Sequence, residues 1–231
     1  MSPLEQHAIR LFRRYAVEVV ERFGLCPWAE PARRAGRVAE AVVVGSDGVE
    51  RALAIISAHA SEPQTEILLL LFPELDVDAR QFDRFAALLR DADARRHPLG
   101  EIPFAMAAFH PDAAPDLSDP ELLIPYFRRT PDPTLQLVRC SVLERVRGAR
   151  PGGTAFVDPT TLDLEALRRP PPEDLRERIA QTNQQTLQRV GLLTIEQTLA
   201  DIFRDRDRTY TELGLVRTVI GRPPAAAGGS A

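Results

Sequence analysis

The sequence predicts an α/β fold: a mostly parallel sheet of three to four strands covered by helices, with an N-terminal helix and a C-terminal helical pair. Three observations lead there. Short apolar runs, VAEAVVV (38–44), EILLLLF (66–72) and FAMAAF (104–109), alternate with amphipathic stretches, the order expected of crossover units with helices packed on a sheet. The middle run is apolar at every position after Glu66, as a central strand buried on both faces requires. The chain of 231 residues is 44% hydrophobic, enough to cover such a sheet.

The elements follow in order. Residues 3–23 place Leu4, Ile9, Phe12, Val19, Val20 and Phe23 at helical spacing, with Pro3 in the first turn and Gly24 as a stop. LCPWAEP (25–31) is a tight connection into the first strand. GSDG (45–48) turns the chain into a helix over 49–60. Asp76 or Asp78 caps an amphipathic helix to about Arg95, with Phe82, Phe85, Leu88 and Leu89 on one face. After the third strand, residues 111–133 are crowded with proline but too apolar for a free linker, so a packed loop is expected. TLQLVRCSVLERVRG (134–148) is expected to be one helix ending at Gly148, and TAFVDP (154–159) a short edge strand. Two polar helices follow, over 172–189 and 194–206. Residues 1–221 are expected to form one domain, with 192–221 a helical extension and 222–231 a disordered tail.

Composition removes several function classes. A formal charge of -4 argues against nucleic-acid binding. The longest apolar run, Ile67–Phe72, is too short for a membrane span, and residues 1–24 lack the pattern of a signal peptide, so a cytoplasmic protein is expected. Cys26 and Cys140 have no CxxC or Cys/His metal spacing. The sequence contains no lysine, which excludes Schiff-base chemistry, a P-loop and a lysine base. No cofactor is expected, and a metal could be held only by residues brought together through tertiary contact.

The candidate site residues are few. His110 ends the third strand, where ligands dock in open α/β sheets, and Asp112 is placed to orient its ring. It is either a general acid or base or a histidine that caps the strand. Cys26 is either a nucleophile or a buried thiol. Arg128, Arg129 and Arg139 are candidates to bind a carboxylate or phosphate. Asn183, the single asparagine of the chain, is either on a solvated helix face or in a polar contact beneath the loop.

Four stretches in order, LCPWA (25–29), FHPD (109–112), RRTPDPTLQLVRC (128–140) and TNQQTLQRVG (182–191), resemble the family called domain of unknown function 1415. The resemblance spans about residues 25–191 and implies that Cys26, His110, Arg129, Arg139 and Asn183 occupy motif positions. It carries no established activity. The chain departs from the family pattern at Arg128 (asparagine there), Gln136 (histidine) and Cys140 (glutamate), which weighs against a metal site using that histidine. The expectation is a small-molecule enzyme acting on an anionic substrate, with His110 as acid or base and Cys26 as a nucleophile. The alternatives are a binding or assembly protein using the 111–133 loop, or a metal-binding protein.

Overall fold

The computed structural model describes residues 1–45, 48–97, 102–113, 126–147 and 175–215, and among these the elements given below are seven α-helices and four strands. Helix α1 (Pro3–Tyr15) starts on a reciprocal cap: Ser2 accepts from the Glu5 amide, and the Glu5 carboxylate accepts from the Ser2 amide. The helix then widens into a π-helical turn, Ala16–Glu21, which ends at Gly24 with φ of 68°. Helix α2 (Ala29–Arg34) leads into β1 (Val38–Val42), followed by α3 (Gly48–Ala60) and β2 (Ile67–Leu71). Helix α4 (Ala79–Arg95) is capped by Asp78, which exchanges hydrogen bonds with Gln81. Strands β3 (Phe104–Phe109) and β4 (Thr134–Arg139) come next, then α5 (Cys140–Arg147), α6 (Leu175–Val190) and α7 (Leu192–Glu212).

The α/β class holds, but the sheet is not mostly parallel. Its order is β1-β2-β4-β3, with β1 and β2 parallel and both pairings of β4 antiparallel. The three expected strands do run in one direction. The fourth inserts between β2 and β3 against them, and it comes from TLQLVR, expected to be helical. The physical reason is a change of period within one apolar stretch. Leu135 and Leu137 alternate with Thr134 and Gln136, a strand pattern, and the helix begins only at Cys140.

Each face of the sheet carries its own core. Leu68, Leu70, Leu135, Leu137 and Phe104 point to the face covered by α3 and α4. Val42, Leu69 and Leu71 point to the other, where α1, the π turn, Tyr126, Phe127 and α7 pack. Helix α7 is tied to α1 through Asp205, which binds both Arg10 and Arg14 at 2.6 Å. Of the 111–133 loop, residues 111–113 and 126–133 are described, and the second part is packed: Tyr126, Thr130 and Asp132 are buried. Residues 114–125, the TAFVDP segment and the expected tail lie outside the described residues.

Candidate ligand cavity

One row across the sheet runs Glu40, Leu69, Gln136, Ala107 in register, all on the face toward α1. The first three of these side chains form the floor of a cavity of about 160 Å³. Tyr15, Ala16, Val20 and Glu21, spread around the π turn, form its roof. The π turn gives the chain more residues per turn there, and π insertions recur at functional positions. The loop after Gly24 supplies Leu25 and Cys26, the segment after Tyr126 supplies Phe127 and Arg128, and α6 closes one side with Asn183.

Helix α6 is held in place by the same loop that carries Cys26. Thr186 and Arg189 both donate to the Phe23 carbonyl, at 3.1 and 3.2 Å. Asn183 lies one helical turn before Thr186 on that face. It is 2% exposed, and its Oδ1 has no hydrogen-bond partner among the described residues. A buried carbonyl without a donor is costly, and such groups in native folds call for a specific explanation.

The electrostatics of the cavity are uneven. Glu21 and Glu40 are neutralised by Arg33 and Arg13, each at 2.6 Å. The Arg128 guanidinium lies over the Phe109 ring, 5.0 Å from its centroid. Burial pushes the Cys26 thiol above its ordinary range, so it is the neutral thiol at pH 7. Backbone amides of Trp28 and Ala29 and the charge of Arg128 oppose that rise without cancelling it. Burial likewise raises the Tyr15 phenol, which donates to the Phe127 carbonyl and so is committed to the fold.

Cys26, Arg128 and Asn183 are therefore brought together; the other candidates are not. His110, next to Phe109 in the chain, projects to the opposite face of the sheet, as alternation requires. Its ring packs at 5.8 Å from that of Phe82 on α4. Nδ1 accepts from the Asp112 amide at 3.2 Å, which leaves Nε2–H to donate to the Val77 carbonyl at 3.0 Å. Burial lowers the pKa of this imidazole, and the Asp112 carboxylate at 3.9 Å opposes the shift. The ring is thus a neutral clamp between two backbone segments. Arg129 binds Glu196 at 2.9 Å, and the same carboxylate accepts from Tyr126. Arg139 donates to the carbonyls of His59, Ala60, Glu62 and Thr65, closing the carboxyl end of α3 and the turn after it. Cys140 opens α5, and neither cysteine forms a disulfide. No three His, Cys, Asp or Glu side chains among the described residues come together as metal ligands.

The residues that sequence reasoning missed are Glu21, Glu40 and Gln136. Two of them carried a signal: Glu40 is the one charge in VAEAVVV, and Gln136 the one carboxamide between two leucines.

Fold and cavity together define an α/β protein with helices on both faces of a mixed sheet and a small, mainly apolar cavity under one helical layer. The chain belongs to the family described as Protein of unknown function (DUF1415), whose model matches residues 7–157. The match includes Cys26, Arg128 and the strand floor and ends before Asn183. No curated protein and no solved structure matches the chain. No helix among the described residues is long and apolar enough to cross a membrane.

Proposed function

We propose that the protein binds a small, mainly apolar anion in the cavity between α1 and the sheet. The anionic end meets Arg128, and the apolar body lies against Leu69, Phe109 and Phe127. The observation that carries this reading is the lining itself: Leu69, Phe109 and Phe127 enclose an apolar volume, and the segment after Tyr126 and helix α6 bring Arg128 and the buried Asn183 to its wall. Ligand sites are apolar enclosures with a few polar groups of fixed direction.

If the site is also catalytic, Cys26 is its reactive group, because His110 is spent on two backbone contacts beyond the sheet. A neutral thiol needs a base before it attacks, and the carboxylates of the cavity wall are held by arginines. Binding is therefore the primary reading, and thiol chemistry depends on a base brought by the ligand.

The test is a thermal-shift screen of the full chain against small carboxylates, with Cys26 alkylation followed in parallel. Binders should raise Tm and slow alkylation of Cys26, and Arg128→Leu should remove both effects. A panel in which no carboxylate raises Tm or protects Cys26 overturns the proposal.

A further inference from the structure

The sheet ends on one side in β1 and on the other in β3, and the two edges differ. Edge strands present amides and carbonyls to any other strand, and folds guard them with inward-pointing charges, prolines or bulges. At the β1 edge Glu40 points inward from the middle of the strand, salt-bridged to Arg13. Strand β3, FAMAAF, carries no charge and no proline and pairs with β4 in unbroken register. Its hydrogen bonds fix which of its groups face outward. The Cys140 amide donates to the Pro103 carbonyl at 3.0 Å, so Pro103 and every second residue after it bond to β4. The amides and carbonyls of Phe104, Met106 and Ala108 therefore point away from the sheet. Among the described residues none of them has a backbone partner. The open stretch is bounded at both ends. The chain bends at Pro103, and the His110 amide, next in the outward series, is taken by the Arg128 carbonyl at 3.2 Å. Met106 is the centre of what remains.

Such an edge matches itself. Two copies laid antiparallel about a two-fold axis at Met106 set Phe104 against the partner's Ala108 and Met106 against the partner's Met106. Every outward amide and carbonyl of both strands is then paired. The side chains agree with that register. Phe104, Met106 and Ala108 all pack into the core under α3 and α4, but Met106 and Ala108 are only half-buried, so this core is open at the edge. A second copy brings an identical open core to meet it. A large residue faces a small one in the Phe104–Ala108 pair, Ala105 and Ala107 meet on the other face, and no charge opposes its like. We propose that the protein forms a symmetric dimer through β3, joining the two four-stranded sheets into one continuous sheet.

The experiment is sedimentation velocity on the full chain, with variants placed by this register. The wild type should sediment as a dimer at micromolar concentration. Met106→Pro deletes an outward amide and no bond to β4, so it should sediment as a monomer. Met106→Cys carries the test should the proline variant fail to fold. Its two thiols face each other across the axis with Cα atoms about 5.5 Å apart, within disulfide reach, so mild oxidation should give a covalent dimer. In Ala108→Cys the equivalent atoms lie about 13 Å apart along the two strands. That variant should cross-link no more than the wild type, whose Cys26 and Cys140 set the background. A wild type that stays monomeric at high micromolar concentration overturns the proposal and leaves the edge to a strand of another protein. A dimer that survives Met106→Pro, or that cross-links through Ala108→Cys as readily as through Met106→Cys, overturns the placing of the interface on β3 in this register.

Discussion

Replacing Asn183 by leucine should stabilise the protein. The wild-type residue holds a carbonyl oxygen at 2% residue exposure with no hydrogen bond among the described residues. An unsatisfied buried group of this kind costs about 1–3 kcal/mol. Leucine removes that cost and is the better helix former on α6. Its extra volume can be taken up only by the 160 Å³ cavity that the residue borders. A gain of about 2 kcal/mol in a chain of this length corresponds to a rise in Tm of roughly 4–8 °C. Differential scanning calorimetry on wild type and Asn183→Leu without ligand measures it. A fall in Tm would refute the reasoning, since it would mean that the carboxamide is already satisfied and is part of the fold's own bonding. Gains of this kind, at the expense of function, mark residues retained for binding.

Three other outcomes follow from the same geometry. Alkylation of Cys26 should be slow at pH 7 and rise with a midpoint above that of an ordinary cysteine. Arg128→Leu should move the midpoint higher still, because the guanidinium's charge favours the thiolate; fast reaction at neutral pH would contradict the burial argument. His110 has a folded pKa below its unfolded value, so its contribution is complete above about pH 6.5 and is lost as pH falls through the lower, folded pKa. Urea midpoints should therefore decline on mild acidification and do so less in His110→Gln. Asp205, held well below the carboxylate range by Arg10 and Arg14, adds its own loss only below about pH 4. A wild-type midpoint that is flat from neutral to mildly acidic pH would contradict this. Arg139→Lys should cost about 2 kcal/mol in chemical unfolding, since one ammonium cannot serve four carbonyls, and should leave ligand affinity unchanged.

Much of the layer architecture was legible because burial writes itself into periodicity. ILLLL could only be a central strand, and Asp78 with Gln81 three residues later is a helix start by chemistry alone. The sheet's direction was not legible, because β4 and α5 run together without a Gly or Pro between Arg139 and Cys140. A window long enough to find a helix averages away the alternation of Thr134 to Val138. For the site, Cys26, Arg128 and Asn183 were visible as residue types. Their convergence depends on the π turn and on α6 docking to Phe23, which are tertiary events. His110 shows the opposite case. Strand parity alone sets it across the sheet from Phe109, but which face carries the cavity depends on how α1 and α4 divide the two faces between them.

The bonding of α7 bears on how the protein can be divided for expression. Arg206, 1% exposed, donates to the Pro131 carbonyl at 2.6 Å, and Tyr210 donates to Asp132. Ile195, Leu199 and Ile202 fill the core beneath α1. Arg206, Tyr210, Ile195, Leu199 and Ile202 all lie beyond residue 157, where the family match stops. Trimming the gene to the matched region would therefore remove one cavity wall and leave Tyr126, Phe127 and Val19 facing solvent. Such a fragment is expected to aggregate, and its failure would say nothing about the activity of the family.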